Sequence, residues 1–223
     1  MRPDEQVAAL AASCREVLGE PSGWTEPVGY PNSMALCILD SVWSIGIRYS
    51  TVEKVVAAYW SDRKAHGSDP SRDSAVDLVA HIEASGGPVQ WAERFATRHR
   101  TSPRGGIPKA EAVLLCARAM CVADLHDTAQ LRSAPISVLK SGEKLWRAIP
   151  GQRSGISWRY LLLLAGHQRV KPDRMILRFI DRSIGYYPGV DEGERLVVAV
   201  AAEMEVEVRA LDHRIWRYES GRD

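Results

Sequence analysis

The sequence has no CxxC pair among its four cysteines, no apolar run approaching the length of a membrane span, and almost no alternating apolar–polar segment. Cys14, Cys37, Cys116 and Cys121 instead lie in helix-like apolar surroundings, the pattern of reduced, buried thiols in a cytoplasmic protein. The N-terminal stretch MRPDEQVAALAASC lacks a cationic region followed by a long apolar one, so it reads neither as a secretory leader nor as a membrane anchor. A soluble, intracellular protein without a membrane partner is expected. An excess of one charge is also missing: 29 Lys and Arg stand against 28 Asp and Glu, so a partner has to be inferred from where charge sits. There is no internal repeat.

What is present is helical periodicity. Apolar residues recur at spacings of three and four in 5–18, 34–47, 51–61, 75–84, 107–123, 136–148, 155–166, 173–184, 191–204 and 208–217, which predicts an all-α fold. The alternating MEVEVRAL at 204–211 is short and has no partner strand; it reads as a junction between helices. Polar SDRKAHGSDPSRDSA at 61–75 and basic RHRTSPRGGIP at 98–108 read as loops, the first of them flexible. At 223 residues the chain suffices for one large domain or two small lobes, each with a proper core.

Charge is unevenly placed. From Arg132 to Arg182 eleven cations face only Glu143, Asp173 and Asp181, a net charge of about +8. Arg94, Arg98, Arg100, Arg104 and Lys109 form a second basic stretch. These cations gather at turns and helix starts, where backbone donors also point outward, a distribution that favours phosphate contact over a merely solvated surface.

At the centre of the first stretch lies IPGQRSGISWRYLLLLAG, residues 149–166. Its Pro-Gly corner separates SVLKSGEKLWRA from an apolar helix, the pattern of a helix-hairpin-helix. Gly151 permits a close approach that a side chain would obstruct, and the N–H groups that follow can face an anion. Downstream, Asp173 follows a proline and heads another helix with apolar residues at 175, 176, 177, 179 and 180, where an aspartate commonly serves as an N-cap.

Together these features resemble the helix-hairpin-helix DNA glycosylase superfamily, which includes endonuclease III and the adenine glycosylases. Members carry a leucine-proline-glycine hairpin, a helix, and then a catalytic aspartate in a Val-Asp-x-His-φ-x-Arg context. Ile149-Pro150-Gly151 and DRMILRF at 173–179 match without a gap, placing Asp173 on the catalytic aspartate and Arg178 on the arginine. ALCILDSVWSIGIRYSTVEKVVAAYW at 35–60 is similar to the early helix pair beside the base pocket, and IPKAEAVLLCARA at 107–119 to the helix that begins Lys-Ala-Glu in endonuclease III.

The resemblance implies a two-lobed fold. Residues 33–140 would form approximately a helical barrel, 1–32 and 185–223 a terminal lobe, and 141–184 the hairpin region bordering the cleft. It implies double-stranded DNA with a damaged or modified base as partner, and a monomer. DNA-contacting positions would be Gly151, Gln152, Arg153, Ser154, Gly155, Lys171 and Arg174; Asp40, Trp43 and Tyr49 would border the base pocket.

The departures narrow the chemistry. The second hairpin glycine is Arg153, and the histidine two residues after the aspartate is Met175. The lysine with which bifunctional members attack the sugar falls on Gly155, which has no nucleophile. The C-terminal region lacks the four-cysteine motif, so no iron–sulfur cluster of that form and no metal are expected; a monovalent cation at the hairpin is the one cofactor the resemblance allows. The expected activity is monofunctional base removal through Asp173. The alternatives left open are a DNA-binding protein that has lost catalysis and a helical interaction protein.

Overall fold

The computed structural model describes residues 2–95 and 98–221. Among these the protein is all-α: α1 (Pro3–Val17), α2 (Met34–Trp43), α3 (Tyr49–Ala65), α4 (Ala75–Ala84), α5 (Pro88–Arg94), α6 (Lys109–Val122), α7 (Thr128–Ser133), α8 (Ile136–Arg147), α9 (Ile156–Leu164), α10 (Arg174–Ile184), α11 (Val190–Glu203) and α12 (Val208–Ser220). The described backbone forms no strand, only an isolated antiparallel bridge between Arg100 and Pro108. None of its helices is long and apolar enough to cross a membrane.

The chain divides into two compact units, one built from Met1–Val28 with Gln168–Asp223 and the other from Gly29–His167. In the second, central unit every residue of α2 is buried, and α3, α4, α6 and α9 pack against it. Ser33 starts α2 by accepting the Leu36 N–H at 3.3 Å. Its other end is closed from outside: the buried Lys109 ammonium donates to the carbonyls of Val42 (3.1 Å), Trp43 (2.7 Å) and Ile45 (2.6 Å). A cation is well placed there, because the last carbonyls of a helix lack intrahelical donors and carry the negative end of its dipole.

In the terminal unit α1, α10, α11 and α12 bury Leu10, Cys14, Ile176, Phe179, Ile180, Val197, Val200, Leu211 and Ile215. Gly193 of α11 lets α10 come close, since a Cβ there would lie 2.6 Å from Leu177 Cδ2.

Several boundaries differ from the sequence reading. α2 stops at Trp43 rather than 47, because Gly46 takes a φ of +71° outside the helical region. The segment 61–75 is no loose loop: α3 runs to Ala65, and Asp73 is buried in a two-pronged pair with Arg63 (2.7 and 2.8 Å) that also accepts the Tyr59 hydroxyl at 2.6 Å. MEVEVRAL is a junction, with Glu205 at a φ of 55° between α11 and α12.

Candidate functional site

The hairpin between α8 and α9 belongs to the central unit. Trp146 at the end of α8 donates its indole N–H to Ser157 Oγ of α9 at 2.9 Å, and Ser157 in turn donates to Gln152 Oε1 in the turn. Trp146 and Trp158 pack edge to face, centroids 5.9 Å apart. A continuous polar chain inside an apolar contact thus fixes the turn, because each buried donor or acceptor in it would be costly to leave unmade.

Gly151 sits at a φ of +88°, and a Cβ there would lie 2.4 Å from Thr101 Cβ. The basic loop 98–108 therefore packs directly on the hairpin, bringing together the two basic stretches. Arg98, Arg100, Arg104, Arg147, Arg153 and Ser154 are exposed.

Other expectations for this turn need correction. Gln152 is 1% exposed and committed to Ser157, so its side chain is an internal brace and not a phosphate contact. The backbone donors of Gln152 and Gly155 point inward, to the carbonyls of Ile149 and Gln152, each at 3.0 Å. Gly155 is buried at a φ of +75°, a conformation that a side chain at that position would strain. Around the turn the Ile149 and Gln152 carbonyls accept these N–H groups, and the Arg153 carbonyl accepts the Arg147 Nε at 3.0 Å, which sets a positive charge beside it.

Of the three residues expected at a base pocket, two meet. Tyr49 and Tyr30 donate to Asp40 Oδ2 at 3.0 and 3.1 Å, and Tyr160 of α9 donates to Tyr49. Burial first, then the Asp40 charge, pushes the Tyr30, Tyr49 and Tyr160 hydroxyls well above their ordinary range. Asp40 itself is wholly buried, so it does not read a base edge at a surface; half-buried Tyr30 and Tyr49 are what this cluster presents outward. Trp43 is also corrected: it is fully buried against Trp91, centroids 6.1 Å apart, and is a core residue.

In the terminal unit Lys171, Asp173 and Arg174 follow one another into α10. Asp173 caps this helix, its Oδ1 accepting the N–H groups of Met175 (2.8 Å) and Ile176 (3.4 Å), while Oδ2 lies 3.9 Å from Lys171 Nζ. The side chain of Asp173 is 22% exposed, that of Lys171 only 10%. Lys171 is thus not the surface charge expected of a DNA contact; Arg174 is exposed.

Asp212 of α12 was missed by sequence reasoning. Buried, it accepts the Lys171 N–H at 2.9 Å and so ties down the segment leading to Asp173. Burial pushes its pKa up to about 8, with the Lys171 N–H opposing and the Asp173 charge adding to the rise. No spacing rule links residues 41 apart, so only the fold reveals this partner. Among the described residues no group of three or more His, Cys, Asp or Glu is arranged to hold a metal.

Fold and sites define a two-unit, all-α protein with a basic interhelical hairpin and an aspartate-capped helix. Residues 8–220 match the family described as "Domain of unknown function (DUF8548)", and the chain belongs to that family. No curated protein and no solved structure matches it.

Proposed function

We propose that the protein is a monofunctional DNA glycosylase, which grips duplex DNA through the α8–α9 hairpin and hydrolyses the N-glycosidic bond of a damaged or modified base with Asp173. The observation that carries the reading is the packing of the basic loop 98–108 on the hairpin at Thr101 and Gly151, with Arg98, Arg100, Arg104, Arg147 and Arg153 exposed around it. Clustered cations at a helical corner suit a phosphate backbone, and positioning on that backbone precedes any reading of bases.

The target base is inaccessible within a duplex and has to be extruded, at a cost of roughly a few kcal/mol. As the bond from C1′ to the base nitrogen breaks, its electron pair leaves with the base and positive charge builds on the sugar. A fixed carboxylate stabilises that charge and orients or deprotonates the attacking water; the water oxygen bonds to C1′ and its proton ends on the departing base. In Asp173, Oδ1 is used in holding the start of α10, which orients the group, and the partly exposed side chain leaves Oδ2 to act. With glycine at 155 no Schiff base forms. The residues hold no cofactor in this scheme.

Incubation of the purified protein with duplexes bearing a panel of modified bases, followed by alkali, should cut the strand at one of them. Borohydride added during the reaction should trap no covalent adduct, and an adduct would refute the monofunctional mechanism. The cap made by Asp173 also favours a second reading, a DNA-binding protein without catalysis, since capping alone accounts for an aspartate there. Salt-sensitive DNA binding with no release across the panel would support that reading instead.

A further inference from the structure

The face of α8 turned away from the core carries a row of cations that leads into the hairpin. Gly142 and Trp146 are the buried residues of this helix, and Gly142 seats it closely: a Cβ there would lie 3.1 Å from both Leu125 Cδ1 and Trp158 Cη2. At about 3.6 residues per turn, Ser137, Lys140, Lys144 and Arg147 fall on the opposite side. All four are exposed. Lys140 and Lys144 stand one turn apart, about 6 Å along the helix axis.

Acids that could balance this row are scarce in its own segment. Glu143 is the one carboxylate from residue 128 to residue 165, and it is bonded to Arg147 at 3.1 Å. Among the described residues no carboxylate pairs with Lys140 or Lys144, nor with Arg153 in the turn that follows. Exposed cations elsewhere do find acids, as Arg15 does in Glu203, Arg118 in Glu83 and Arg169 in Glu194. Lys144 lies in the last turn of α8, where a cation suits the negative end of the helix dipole. Lys140 lies a turn earlier and gains little from that field, which falls off within the last turn.

We propose that the outer face of α8, with Lys140 and Lys144 as its charges and Ser137 as a hydroxyl donor, lies along the sugar–phosphate backbone of duplex DNA. The grip of the hairpin is thereby extended by about two helical turns. The inference rests on the DNA-binding part of the reading above and not on base removal. Lysine and serine suit this partner because both donate to phosphate oxygens without reading a base edge, and a helix seated by Gly142 holds them at a fixed spacing. Continuity with the turn favours DNA over an acidic protein surface: exposed Arg153 follows α8 directly, and exposed Arg104 belongs to the loop packed on Gly151.

The test is binding of the full-length protein to two fluorescent, undamaged duplexes of unrelated sequence across a range of salt concentrations. Log affinity falls with log salt by about 0.9 for every DNA phosphate that a protein cation neutralises. Lys140→Gln and Lys144→Gln should each make that slope shallower by about this amount, and the double variant by about twice as much, equally on both duplexes. Lys54→Gln, at an exposed lysine of α3 in the same unit, should leave the slope unchanged. Thermal melting of each variant is the control for folding.

A wild-type slope in the double variant would overturn the α8 contact while leaving DNA binding by the hairpin intact. An equal fall in slope for Lys54→Gln would show that total charge and not this face sets it, and the proposal fails. Loss confined to one of the two duplexes would mean that α8 reads bases, which contradicts a backbone contact. No salt-sensitive binding by the wild type would overturn the DNA reading as a whole, and this inference with it.

Discussion

Asp212 is the residue whose behaviour is most sharply fixed by its surroundings. Its carboxyl faces Lys171, Asp173 and Glu194, and burial raises its pKa from 3.8 to about 8. Between those values the folded protein holds a proton that the unfolded chain releases, so stability falls as pH rises through this window and levels off above it. Asp212→Asn keeps an acceptor for the Lys171 N–H and removes the titration. Melting temperatures recorded from pH 4 to pH 8 should therefore fall less steeply for the variant than for wild type; parallel profiles would contradict the assignment. Gly155 offers a second test at this scale. Gly155→Ala forces a side chain into the left-handed region, costing about 1–2 kcal/mol, and crowds Arg159. Chemical denaturation should register that loss, whereas Gly23→Ala, with nothing within 4 Å of its Cβ position and no positive φ, should not.

At the scale of elements, the helices that sequence periodicity made most legible are those with one long apolar face, such as α8, α10 and α11. α5 and α7, at 7 and 6 residues, are too short for a period to emerge, although Asp127 and Gln130 form a capping box that marks the start of α7. The hairpin and the helix headed by Asp173 were legible because their turn and capping chemistry is local. Lys171 and Trp43 were misplaced because their surroundings are set by partners remote in sequence, Asp212 and Trp91, and Gln152 because its side chain turns inward to Ser157 instead of outward from the turn. Lys109 illustrates the same limit: the helix it begins was visible, but its hold on the carbonyls closing α2 was not. Lys109→Met keeps the apolar stem and leaves those buried carbonyls without their donor. It should destabilise the protein by roughly 3 kcal/mol, the sum of a few such unmade bonds, measured by urea denaturation. A loss below about 0.5 kcal/mol, the range of a surface substitution, would show that the ammonium is not structural.

For the whole molecule, the sequence order of its parts has a mechanical consequence. The hairpin lies in the unit formed by 29–167, whereas Asp173 and Asp212 lie in the unit formed by the two ends of the chain. In the proposed function, gripping DNA and acting on it fall to separately cored units, so on that proposal the two steps should be separable by mutation. Arg153→Gln, at an exposed residue of the turn, should weaken binding yet keep base release at saturating protein, and Asp173→Asn should bind like wild type. The measurement that tests the account most directly is single-turnover base release from the duplex that wild type cleaves best, compared with Asp173→Asn under conditions in which both are fully bound. Loss of about two orders of magnitude or more in the rate is expected for removal of a group that acts in the transition state. Release at the wild-type rate by the variant would remove Asp173 from the chemistry and contradict the proposed mechanism.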